Sequence, residues 1–260
     1  MSRTMQMAVI KKDMKAIAFN RRLFPVLLII PLVFTIVLPT IFFLIFHFVP
    51  DSMDDFQQIL AMLPGGMDEA GAMVDLLMNR IMPIFFILIP IMVASVMAAS
   101  SFVGEKEKRT LETLLYSPLS LRQLFQAKVF ASFGMSMVVS LASFLIMLVV
   151  TETEARLITG AFYLPSINWL VTMLLLSPAI SIVAITMIVR GSAKAQTVEE
   201  SQQRAVFLIL PLLLLIVGQF MGVVLVSAWL LLAIGVVCAL LAVFLLKRSV
   251  RGFSYEALLK

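Results

Sequence analysis

The chain has 260 residues, of which 62% are hydrophobic and only 13% charged, with a net charge of +5 and a mean hydropathy of +1.07. Soluble domains run about half apolar and about a quarter charged, so this composition excludes a water-soluble globular protein. Lipid must take up the apolar surface that folding alone cannot hide.

In residues 1–22, Met7, Ile10, Met14 and Ile17 recur at helical spacing, while Lys11, Lys12 and Lys15 fall on another side. This pattern predicts a short amphipathic helix lying along the inner leaflet, with its lysines toward anionic headgroups. Charge-free apolar runs follow at 23–49, 81–103, 129–150, 167–189 and 205–246. A bilayer core takes roughly 20 helical residues, so the first four runs are one span each. The last, with 42 residues, holds two. A turn near Gly222, Ser227 and Trp229 divides it into spans 205–223 and 228–246. The first run, 27 residues behind a basic leader, is too long for a secretory signal and reads as an uncleaved anchor. The expected fold is an all-α integral membrane protein with six transmembrane helices.

Charge sets the orientation. With both termini cytoplasmic, the segments 1–22, 104–128, 190–204 and 247–260 carry every Lys and Arg except Arg80 and Arg156. The inverted arrangement would violate the positive-inside rule. The basic residues are spread over four loops without interleaved aromatics, which excludes a nucleic-acid platform. Trp169 and Trp229 open the fourth and sixth spans at their outer ends, where amphipathic rings favour the headgroup region.

The first outer segment, 50–80, has two amphipathic stretches: Phe56, Ile59, Leu60 and Leu63, then Ala70, Met73, Val74 and Leu77. Pro64, Gly65 and Gly66 between them predict an external helical hairpin. In the second cytoplasmic segment, Leu111, Leu114 and Leu115 share a helical face. Glu105, Lys106, Glu107, Lys108, Arg109 and Glu112 give that stretch a polar surface. Pro118 ends the helix, predicted over 104–118, and Ser120 with Gln123 has capping-box spacing for the next. A charged helix held between two spans suits docking into a groove of a soluble partner.

The stretch Glu105-Lys-Glu-Lys-Arg-Thr-Leu-Glu-Thr-Leu-Leu-Tyr-Ser-Pro-Leu-Ser, continuing to Gln126-Ala-Lys128, resembles the signature of type-2 ABC transporter permeases. Arg109 stands where that family often has Gly, and Ala127 precedes Lys128 where Gly is usual. Lys12-Asp13 with Asn20-Arg21-Arg22, the loop Ala195 to Gln203 before Leu210-Pro211, and the ending Phe253 to Leu259 are similar to the family as well. The resemblance implies the membrane subunit of an ATP-driven exporter in the cell membrane, of prokaryotic plasma-membrane type. Two permeases, identical or related, would work with two ATPase subunits that bind ATP and Mg. Glu105, Lys106, Glu107, Arg109, Thr110, Leu111, Glu112, Leu114, Leu115 and Tyr116 would then form the coupling helix that touches the ATPase. The family also places the substrate path near the first, second and fifth spans.

No Gly-x-x-x-x-Gly-Lys-Ser/Thr loop, nucleophile elbow or zinc spacing occurs, so the chain is expected to have no ATPase site, catalytic residue, metal or cofactor of its own. Asn168, Thr172, Ser177, Thr186 and Gln219 are the notable polar residues of the spans. The lone histidine, His47, lies near an outer end. Gln219 between Gly218 and Gly222, together with Pro211 and Phe220, makes the candidate substrate path. Uncharged spans and a small outer hairpin favour an apolar or amphiphilic cargo, such as a small molecule, peptide or lipid-like compound, over a highly charged one, with ion export as the open alternative. The competing reading is a membrane scaffold or sensor that docks a cytoplasmic regulator and moves nothing.

Overall fold

A computed structural model of the chain describes residues 2–20, 23–48, 68–107, 119–192, 195, 197–221 and 227–252. Among these residues every regular element is a helix. After an N-terminal helix, Ser2–Ala18, six helices are long and apolar enough to cross a membrane. Spans 1 to 6 are Phe24–Phe46, Ala70–Glu107, Leu121–Thr159, Ile167–Ser192, Val198–Phe220 and Ala228–Ser249. The N-terminal helix, Glu105 at the end of span 2, Lys128 near the start of span 3, Arg190 of span 4 and Ser249 of span 6 lie at one end of the bundle, here called the terminus side.

Span 2 is the axis of the bundle: 89% of its most apolar stretch is buried, against 22% for spans 1, 3 and 5. The reason lies partly in its length. The second stripe of the expected outer hairpin, Ala70 to Leu77, joins this helix instead of standing apart, and Met73, Val74 and Leu77 are buried in the same core as Ile81 and Phe86. The first stripe, Phe56 to Leu63, lies outside the described residues. At the other end the helix passes Val103 and continues to Glu107, so 104–107 are its last turn. Span 3 has 39 residues. At 1.5 Å per residue it is about 58 Å long and overshoots a bilayer core at both ends. No proline interrupts it. It starts on the expected capping box, with Ser120 Oγ accepting from Gln123 N at 3.3 Å and Gln123 Oε1 accepting from Ser120 N at 3.1 Å, and stops at Gly160 with φ 70°.

Spans 1, 2 and 4 each contain one π-helical turn: Val33–Val37, Leu76–Ile81 and Thr172–Leu176. Each closes one residue before a proline. Leu38 donates to Val33 O ahead of Pro39, Met82 to Leu77 O ahead of Pro83, and Ser177 to Thr172 O ahead of Pro178. A proline ring inside a helix presses on the carbonyl four residues back and supplies no N–H, and a widened turn relieves the clash.

The widening leaves span-2 carbonyls to be satisfied from elsewhere. Residue 83 would serve Asn79 O in α register and Met78 O in π register, yet Pro83 has no N–H. Span 4 answers both. Asn168 Nδ2 donates to Asn79 O at 2.6 Å, and Trp169 Nε1 donates to Met78 O at 2.9 Å. Asn79 Oδ1 in turn accepts from Ser166 N at 2.9 Å, and Ser166 caps the start of span 4. Trp169 is therefore not an interfacial anchor: it is 3% exposed, with Phe86 and Phe144 against its ring, whereas Trp229 is 81% exposed.

Candidate functional site

On the terminus side, four charges from three separate stretches of chain meet. Lys128, one to two turns into the span-3 helix, is 3% exposed, a position that would be costly for an unpaired ammonium. Its Nζ lies 2.6 Å from Glu105 Oε2 and 3.8 Å from Asp13 Oδ2, and it also donates to Ser101 O. The Phe102 ring lies 5.4 Å from it. Ser101 Oγ donates to Asp13 Oδ2 at 2.6 Å, and Lys12 Nζ reaches Glu105 Oε1 at 2.7 Å. Two lysines and two carboxylates thus balance in charge; Glu105 accepts from both lysines, and Asp13 accepts from Ser101 with Lys128 as its ion partner, which is what makes a buried ionic cluster tolerable.

The elements supply these groups by simple geometry. Ser101 and Glu105 are four residues apart on one face of span 2, and Lys12 and Asp13 come from the N-terminal helix. Gln6 Nε2 adds a long contact, 3.5 Å, to Gln123 O at the start of span 3. On the other flank of span 2, Glu107 Oε2 accepts from Val198 N at 3.3 Å, and Val198 packs into the core that holds Phe102 and Phe125. The helix end at Glu105 to Glu107 is therefore gripped from two directions, by the N-terminal helix and by the start of span 5.

Of the residues expected to contact an ATPase, Glu105 is buried in this cluster, Lys106 is half-buried and Glu107 is exposed. Arg109, Thr110, Leu111, Glu112, Leu114, Leu115 and Tyr116 lie outside the described residues. Lys11, Lys12 and Lys15 are exposed along the N-terminal helix, with Lys12 turned to Glu105. Ser101 does not stand out by motif. Asp13 belongs to the Lys12-Asp13 pair that resembles the family, and it is the single acid among the first 50 residues, set in a run of lysines.

The three candidate path residues are not brought to one place. Pro211 lines an apolar cavity shared by spans 2, 4, 5 and 6. Phe220 stacks on Phe42 of span 1 at 5.9 Å and meets Phe85 of span 2 edge-on at 6.4 Å. Gln219 is 2% exposed, and its amide nitrogen has no hydrogen-bond partner among the described residues.

Six helices long and apolar enough to cross a membrane define a multi-pass membrane protein. The chain matches the ABC-2 family transporter proteins over residues 7–258, nearly its whole length, and belongs to that family. It is accordingly a membrane-embedded permease subunit of an ABC transporter. No curated protein and no solved structure matches the chain.

Proposed function

We propose that the chain exports an amphiphilic small molecule, peptide or lipid-like compound, driven by ATP and Mg bound on a separate ATPase subunit. Two copies of that ATPase would act on two permeases, identical or related, with both permease termini in the cytoplasm. Glu105 to Tyr116 make the contact with the ATPase, and the Lys128–Glu105–Asp13 cluster is the joint that carries its motion. The cluster supports the reading because it ties together the end of span 2, the start of span 3 and the N-terminal helix. A push on the coupling segment then moves all three as one body instead of being absorbed by flexing. Span 2, being central, distributes that movement to the rest of the bundle.

The test is co-purification followed by reconstitution. The chain extracted from its own membrane should bring down an ATPase, and proteoliposomes holding both should show ATP-dependent movement of an amphiphilic dye. Charge reversal at Glu112 and Arg109 should uncouple hydrolysis from movement while leaving the bundle folded. Extraction without any ATPase, together with unchanged transport in those variants, would sink the proposal in favour of a scaffold that docks a regulator.

A further inference from the structure

A cavity of about 340 Å³ opens between spans 4, 5 and 6 and is lined almost wholly by carbon. Water has no polar partners there, and an empty cavity forfeits dispersion contacts on every side. Pro211 and Leu241, both exposed, form part of its rim, so the cavity is continuous with the lipid-facing surface. The locally abundant apolar occupant in a bilayer is an acyl chain.

Besides Ile87 of span 2, the cavity is lined by spans 4, 5 and 6, and each of these three runs, on the lining face, into an arginine at the terminus side. In span 4 the lining positions Leu176, Ile180 and Val183 continue at helical spacing to Arg190. In span 6, Ile234, Cys238 and Leu241 continue to Arg248. In span 5, Leu208, Leu212 and Leu215 trace back to Arg204. Seven helical residues separate Val183 from Arg190 and Leu241 from Arg248, about 10 Å, and four separate Leu208 from Arg204, about 6 Å. These distances are on the scale of the ester and glycerol region that separates a lipid's chain from its phosphate.

The arginines are also neighbours. Arg190 Nε donates to Ser249 Oγ at 3.1 Å, which brings it beside Arg248, the preceding residue of span 6. The Arg204 guanidinium lies against the backbone of Gly191, where any Cβ would collide with it. None of the ion pairs among the described residues involves these three side chains. The acids nearest in sequence, Glu199 and Glu200, are exposed about one turn ahead of Arg204. Adjacent cations above an apolar slot match the two halves of an anionic lipid: charge-assisted hydrogen bonds for the phosphate, and burial for the chain.

We propose that this cavity and its arginine rim bind an anionic phospholipid of the terminus-side leaflet, one acyl chain lying between spans 4, 5 and 6 and the phosphate meeting Arg190, Arg204 and Arg248. The site stands apart from the coupling role proposed above, and occupancy is read without ATP or transport, so either idea can fail alone.

The full-length chain is placed in nanodiscs of phosphatidylcholine doped with phosphatidylglycerol of the same chains, re-extracted in detergent and weighed by native mass spectrometry. Wild type should retain a single phosphatidylglycerol. The R190Q/R204Q/R248Q variant should retain at least roughly tenfold less. Ile180→Trp, which fills the cavity, should do the same, with the milder Cys238→Leu as a companion if the tryptophan variant unfolds. Equal retention of phosphatidylcholine, or wild-type retention in the arginine variant, would remove the charge half of the idea. Displacement by inorganic phosphate alone would reduce the site to an anion pocket without a chain. Efficient oxidative cross-linking through Cys238, the chain's one cysteine, would place a second copy over the groove and overturn the proposal.

Discussion

Lys128 Nζ sits 2.6 Å from Glu105 Oε2, so a charge near the end of span 2 and one near the start of span 3 are fastened to each other in space. Asp13 and Lys12 tie the N-terminal helix into the same cluster. Under the coupling role proposed above, a force on residues 108–118 would reach all three helices together.

Breaking one side of this pair should cost more than removing both. Lys128→Met leaves Glu105 with Lys12 alone and Asp13 with Ser101 alone, so the cluster carries one uncompensated negative charge, and the loss should approach that of a broken buried pair, about 3–5 kcal/mol. Adding Glu105→Gln should return part of that loss. Thermal unfolding in detergent, arranged as a double-mutant cycle, measures the coupling. Additive losses would show that the two side chains act independently.

Asp13→Asn should loosen the N-terminal helix more than the spans. Asn keeps an acceptor for Ser101 Oγ but loses the attraction to Lys128, which at 3.8 Å is weaker than the Glu105 contact. Hydrogen–deuterium exchange should rise across 2–18 and stay unchanged across 121–128. A uniform rise would mean that the aspartate supports the whole bundle.

The span-4 latch on span 2 predicts an unusual rescue. Asn168→Ala and Trp169→Phe each strip a donor from a buried carbonyl and should cost about 1–3 kcal/mol. In a Pro83→Ala background residue 83 regains an N–H, and the cost of Asn168→Ala should shrink because Asn79 O can be served from within its own helix. Chemical unfolding of wild type, the two single variants and the double variant checks this. An undiminished cost in the Pro83→Ala background would refute the proline origin of the latch.

The six spans were legible because four are single apolar runs and a fifth run of 42 residues is long enough for two, and the start of span 3 because its capping box is local. What escaped was tertiary. Trp169 and Trp229 both begin apolar runs, yet one is drawn inward by a carbonyl that Pro83, some 86 residues earlier, leaves without a donor. The span-2 helix overran its expected boundary at Val103 because Glu105 is neutralised by lysines from two other segments, so its charge did not mark the edge of the buried region. Pro211 and Phe220, read as path residues from the proline, the Gly218 and Gly222 pair and the family resemblance, meet different neighbours because they lie nine residues apart on one helix.

At the outer end, one hydrogen is shared by two acceptors. Thr40 Oγ1 stands 2.7 Å from Ile36 O and also contacts Glu154 Oε1, while Glu154 Oε2 is buried with no partner among the described residues. A threonine hydroxyl has one proton to give. If it goes to Ile36 O, the carboxylate faces a lone pair. If it goes to Glu154, the backbone carbonyl loses a donor. Glu154→Gln removes the conflict, since its own N–H can donate to Thr40 Oγ1 while the hydroxyl serves Ile36 O. That variant should unfold at a higher temperature than wild type, by an amount worth about 1 kcal/mol. Thr40→Val should then cost more beside Glu154 than beside the glutamine, because an unsatisfied charged group is dearer than a neutral one. Equal costs in the two backgrounds, measured by thermal unfolding of the four proteins, would show that Glu154 draws its stabilisation from elsewhere.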